Sequence, residues 1–118
     1  MVAVEAHPER AEILRARFAG RPVTVVTGDA LAMPLPRRPF RVVSNPPYSI
    51  SGPLLRMLLA PESRLVAADI VLQRAVARRY QAAKFRGARR WDIRSGMLLP
   101  RRAFIPPPQV DSAVLVVR

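Results

Sequence analysis

The sequence predicts an α/β fold on a mostly parallel sheet, with a C-terminal strand that returns antiparallel as a hairpin. Short apolar, β-branched runs alternate with stretches of helical periodicity. Three of those runs in succession are closed by a polar residue, Glu5, Asp29 and Asn45. A last apolar run, 113–117, follows a proline-rich loop that would turn it back on its predecessor.

Residues 1–5 are apolar with no polar lead-in and end on Glu5, the pattern of a buried parallel strand whose last residue reaches the carboxyl edge. Pro8 opens a helix, because a first-turn position has no use for an N–H. Glu9 and Glu12 lie near the start of that helix, where negative charge is favoured. Ala11, Ile13, Leu14 and Phe18 predict its apolar face, and Gly20 its end. Residues 23–27 predict a second strand, leading into Gly28-Asp29-Ala30. Parallel strands joined by right-handed crossovers would bring Glu5, Asp29 and Asn45 into one line of sites.

Pro34, Pro36 and Pro39 stiffen a loop over 31–39. The apolar run 40–43 then stops at Asn45-Pro46-Pro47-Tyr48. Two adjacent prolines offer no ladder N–H and fix φ, so the chain must leave the sheet at Asn45. It leaves with a carboxamide, a carbonyl held in a nearly fixed direction and an aromatic ring. Two acceptors side by side suit an exocyclic amino group, and Tyr48 offers a face for a base to stack on. The same residues also fit a plain proline-rich turn.

Ser51 is predicted to cap a helix with Pro53 in its first turn. Leu54, Leu55, Met57, Leu58 and Leu59 make that helix apolar nearly all round and therefore buried. Residues 65–72 predict a strand interrupted by Asp69, and 73–84 a basic helix. Between Arg74 and Arg94 stand eight basic residues and one acid, Asp92, interleaved with Tyr80, Phe85 and Trp91. Such a mixture fits an RNA groove, with Arg74, Arg78, Arg79, Lys84, Arg86, Arg89 and Arg90 as its candidates, and equally a solvated helix face over core aromatics. Residues 97–102 predict a further strand or its approach.

Net charge is +12, almost all arginine, with Lys84 the only lysine. That favours a polyanionic partner and bidentate phosphate contacts. A GC-rich genome, which enriches arginine, alanine, proline and valine together, would produce the same bias. Absence of cysteine excludes disulfides and thiolate metal sites, and His7 is the only histidine. No apolar run approaches a membrane span, so the expectation is a cytoplasmic protein with neither membrane nor metal partner.

Asn45-Pro46-Pro47-Tyr48 resembles the catalytic tetrapeptide of S-adenosylmethionine-dependent amino-methyltransferases. Phe104-x-Pro106-x-Pro108-x-Val110-Asp111-Ser112-Ala113-Val114-Leu115 resembles the hallmark of the ribosomal RNA adenine N6-methyltransferases. These comprise the Erm macrolide-resistance enzymes and the small-subunit rRNA adenine dimethyltransferases. Gln73 with Ala77-Arg78 is similar to their helix after the fifth strand, and Ala75 departs from a glutamate common there. The resemblance spans essentially the whole chain and implies a partial Rossmann-like methyltransferase fold. The five glycines are scattered, so no glycine-rich cofactor loop can be built from them. Residues 1–118 are accordingly expected to be an incomplete catalytic domain, without the family's first strand and glycine-rich loop and without its C-terminal helical domain.

The resemblance implies methyl transfer from S-adenosylmethionine to N6 of an adenine in 23S ribosomal RNA, blocking macrolide-type drugs. Pro46, where the small-subunit group usually has leucine, and the arginine content favour the Erm side. It implies catalytic roles for Asn45, Pro46 and Tyr48, and cofactor contacts from Glu5, Asp29, Ala30 and Asn45, in an enzyme expected to be monomeric. Small-subunit rRNA dimethylation, or a non-catalytic RNA-binding fragment, are the alternatives.

Overall fold

The structure is a computed structural model that describes residues 1–83 and 88–118. The chain divides into two compact units, Met1–Pro34 and Leu35–Arg118.

In the first unit, β1 (Val2–Glu5) and β2 (Thr24–Thr27) form a parallel pair joined by helix α1 (Pro8–Arg17). Pro8 occupies the first helical turn, as predicted, and Gly20 turns the chain out with φ of 73°, a conformation that costs glycine nothing. Arg15 ties α1 to β2 by donating to Thr27 Oγ1 at 2.8 Å and to the Val25 carbonyl at 3.3 Å. Two expectations need correction. Ile13 is 65% exposed, because the buried helix face follows Ala11, Leu14 and Phe18 at three- and four-residue steps, and Ile13 falls off that row. β1 is not a buried strand: Val2 and Val4 are 62% and 41% exposed. They share one face of the ladder, while Ala3 and Glu5 on the other are partly covered.

The second unit holds a four-stranded sheet in the order β3 (Phe40–Ser44), β4 (Leu65–Gln73), β6 (Ser112–Val117), β5 (Ile93–Leu99). β3 and β4 are parallel, and β6 lies antiparallel to both β4 and β5. β3, β4 and β5 therefore run in one direction and β6 alone is reversed, matching the predicted hairpin strand. The parallel pairs β1–β2 and β3–β4 belong to separate hydrogen-bonded sheets rather than to one ladder.

The fifth strand begins and ends earlier than its apolar residues indicated. Pairing starts at Ile93 opposite Val117 and stops at Leu99, because Pro100 has no N–H to continue and residues Arg101–Ala103 wind into a 3₁₀ turn. Helix α2 (Ser51–Leu58) buries Leu54, Leu55 and Leu58, each worth roughly 1.5–3 kcal/mol in area removed from water. Ser51 does not cap it: a 3₁₀ turn over Tyr48–Ile50 runs directly into the helix, which makes Ser51 its first residue. The centre of the sheet is apolar, with Ile70, Leu72, Leu115 and Val117 fully buried. Helix α3 (Arg74–Ala82) packs across β4, β5 and β6 through the buried Ala77.

Asp69, the acid that interrupts the apolar run of β4, is matched by Arg118, which donates to both carboxylate oxygens at 2.8 and 3.1 Å. Among the described residues no helix is long and apolar enough to cross a membrane.

Candidate active site

β3 delivers the Asn-Pro-Pro-Tyr turn. Its last paired residue, Ser44, lies opposite Ile70, after which Asn45, Pro46 and Pro47 run without ladder bonds into the Tyr48–Ile50 turn. The Pro47 carbonyl accepts the Ile50 N–H at 3.1 Å and faces the Ser51 hydroxyl at 3.5 Å, which fixes the turn from behind. Asn45 is exposed and Pro46 buried. No hydrogen bond among the described residues uses the Asn45 carboxamide or the Pro46 carbonyl. The two acceptors singled out in the sequence are thus unspent.

Tyr48 is half-buried, and its hydroxyl lies 2.5 Å from Oγ of Ser112, a fully buried residue at the start of β6. Ser112 stands opposite Gln73, the last residue of β4. The hallmark segment 104–115 is therefore fastened to the turn by its serine. Sequence reasoning included Ser112 in a motif without assigning it a task. Its only local signal was a hydroxyl opening an otherwise apolar strand.

In the first unit, Glu5 and the loop Gly28-Asp29-Ala30 share the carboxyl edge of the parallel pair, where the Gly28 N–H bonds the Glu5 carbonyl at 3.0 Å. The Glu5 carboxylate accepts the His7 N–H at 2.8 Å, and the Asp29 carboxylate accepts the Leu31 N–H at 2.8 Å. Each acid is oriented by its own loop through one oxygen, and the other oxygen remains an acceptor. Such a pair of acceptors fits hydroxyl and amino groups of a nucleoside.

The predicted RNA contacts separate. Arg74 and Arg78 are exposed on α3 one turn apart, and Arg79 is exposed with its guanidinium 5.8 Å from the Tyr80 ring centroid. Arg89 is exposed. Lys84 and Arg86 lie outside the described residues. Arg90 is committed to the protein: it donates to the carbonyls of Pro61 and Ser63, each at 3.1 Å, and of Leu65 at 3.4 Å, and stacks 4.7 Å over Trp91.

A sequence model of the family described as ribosomal RNA adenine dimethylase matches residues 1–118. The chain belongs to this family. It is 36% identical to the ribosomal RNA small subunit methyltransferase A of Synechococcus sp. (strain JA-3-3Ab), over 98% of the chain and 46% of that relative. It is 32% identical to an rRNA adenine N-6-methyltransferase of Bacillus licheniformis, over 98% of the chain and 43% of that relative. The chain thus spans about half the length of the curated relatives it matches. Among solved structures, the 23S rRNA methyltransferase ErmE superposes with a TM-score of 0.82 at 29% identity, covering 99% of the chain and 51% of ErmE. A dimethyladenosine transferase from Plasmodium falciparum, at 24% identity and a TM-score of 0.79, shares the fold. The α/β methyltransferase fold expected from the hallmark segments is the fold of these neighbours.

Proposed function

We propose that the protein transfers a methyl group from S-adenosylmethionine to N6 of an adenine in ribosomal RNA. What carries this, in a member of the adenine dimethylase family, is the pair of unspent acceptors at the end of β3 beside an anchored tyrosine. Bound S-adenosylmethionine would supply an electrophilic methyl carbon, its S–CH3 bond breaking as the N6–methyl bond forms and S-adenosylhomocysteine leaving. The Asn45 side-chain carbonyl and the Pro46 carbonyl accept the two N6 hydrogens. Held in this way, the N6 lone pair leaves conjugation with the ring and is aimed at the incoming carbon. Tyr48 stacks on the base, which reaches the site unpaired or flipped out of its helix. Positioning and electrostatics supply the catalysis, and the displaced N6 proton passes to solvent. Glu5 receives ribose hydroxyls of the methyl donor. Asp29 and the Ala30 backbone would hold the donor's adenine.

The large-subunit RNA is the proposed target, which would confer resistance to macrolide-type drugs. Pro46 and the likeness to ErmE support it. The higher identity to small-subunit methyltransferases favours a second reading, an adenine of the 16S RNA. Labelled methyl transfer to deproteinised 23S RNA, set against 16S RNA and assembled small subunits, decides between them. Incorporation into 23S RNA alone is expected. Incorporation only into the small-subunit substrates would move the target, and none into any substrate would remove the proposed activity.

A further inference from the structure

β3 and β4 are parallel neighbours, so Asn45 and Gln73 leave the sheet at one edge. β6 runs back along β4 with Ser112 opposite Gln73, so the segment entering β6 arrives at that same edge. Between the first turn of α3 and this segment lies a cleft of about 500 Å³, lined by Gln73, Arg74, Arg78, Arg101, Gln109 and Asp111 among others. Asp111 braces both walls: its carbonyl accepts the Arg74 N–H at 3.0 Å, and its Oδ1 accepts the Arg101 N–H at 2.9 Å. The acid is thereby held by backbone and neutralises no arginine. Among the described residues, the Arg74, Arg78 and Arg101 guanidiniums have neither ion pair nor hydrogen-bond partner. Three cations face one carboxylate across an open cleft, and an entering anion relieves their mutual repulsion.

We propose that this cleft binds a phosphodiester of single-stranded RNA, with Arg101 a contact residue alongside Arg74 and Arg78. The assignment rests on ribosomal RNA being the substrate. Guanidinium forks match the paired oxygens of a phosphate, and the Gln73 and Gln109 amides add uncharged donors. The volume is that of a nucleotide-sized site. Asp111 directly precedes Ser112, whose hydroxyl meets Tyr48, so the cleft adjoins the residue that anchors the stacking ring. A strand whose base rests on Tyr48 would lay an adjacent phosphate here. Arg101 comes from the approach to the proline-rich loop, not from the basic helix, and only the return of β6 brings it opposite Arg74.

The test is fluorescence-anisotropy binding of a labelled oligoadenylate between about 50 and 200 mM salt. Arg74→Gln, Arg78→Gln and Arg101→Gln should each flatten the plot of log affinity against log salt by about 0.7, the increment for one phosphate contact in single strands. Arg101→Lys should restore the slope, and Arg10→Gln, on α1, should leave it unchanged. An unaltered slope in Arg101→Gln overturns the proposal, as does equal flattening in Arg10→Gln. Displacement of the oligoadenylate by an equal concentration of inorganic pyrophosphate would likewise overturn it, in favour of a small-anion site. Methyl transfer measured in parallel separates the two readings. Wild-type protein that methylates no RNA yet shows the Arg101-dependent slope loses the proposed function and keeps the cleft; active protein with an unaltered slope does the reverse.

Discussion

The Tyr48 hydroxyl and Ser112 Oγ meet at 2.5 Å across 64 residues of chain, joining the end of β3 to the start of β6. A rigid turn displays the ring, and a fully buried side chain on a central strand fixes its far end. If this bond positions the ring, Tyr48→Phe and Ser112→Ala should each cost about 0.5–1.5 kcal/mol of stability. Each should also slow methyl transfer several-fold, while Tyr48→Ala slows it further by removing the stacking face. The double variant Tyr48→Phe/Ser112→Ala should be little worse than either single one, since residues in contact are not additive. Strict additivity in a double-mutant cycle of rates and urea midpoints would show that the two act separately.

Asn45 is exposed, and its carboxamide bonds nothing among the described residues. Asn45→Ala should therefore leave stability within about 0.5 kcal/mol of the parent. It should lower the single-turnover rate of methyl transfer by about a hundredfold or more, the scale for removing one positioned hydrogen-bonding group from a reacting centre. Near-parental turnover would exclude the amino-holder role.

Arg89 and Arg90 are neighbours with different fates. Arg90→Ala removes three bonds to carbonyls and a stacked guanidinium, and should cost roughly 1–3 kcal/mol in urea unfolding. Arg89→Ala should cost less than about 0.5 kcal/mol. Conversely, RNA affinity measured on the folded protein should retain its salt dependence in Arg90→Ala.

Glu5→Gln keeps an oxygen for the His7 N–H and so should preserve the start of α1. It loses the charge that strengthens bonds to donor hydroxyls. The KM for S-adenosylmethionine should rise about tenfold, with the thermal midpoint nearly constant. An unchanged KM would remove Glu5 from the cofactor contacts.

Much of this was legible residue by residue. Pro8 marks the start of α1, Gly20 the exit after it, and the Pro46-Pro47 pair the end of β3, because each of these residues restricts or frees φ whatever surrounds it. The apolar α2 was legible too, since a helix with leucines nearly all round has nowhere to go but inside. Less legible were the exact start of a helix and which of its apolar residues join the buried row. Ile13 looked like part of an apolar face and is exposed. Ser51 looked like a cap and is displaced into the helix by the preceding 3₁₀ turn.

The sequence by itself determined where the first three strands end and which groups stand at or just past those ends: Glu5, Asp29, Asn45 and the proline-held carbonyls. These are local consequences of backbone stereochemistry. Only the tertiary structure decided that β6 slots between β4 and β5, and so set Ser112 against Tyr48 and Arg101 across from Arg74. Strand pairing is a choice among distant partners. A guanidinium's task likewise depends on whether carbonyls from another part of the chain lie within its reach, as they do for Arg90 and do not for Arg101.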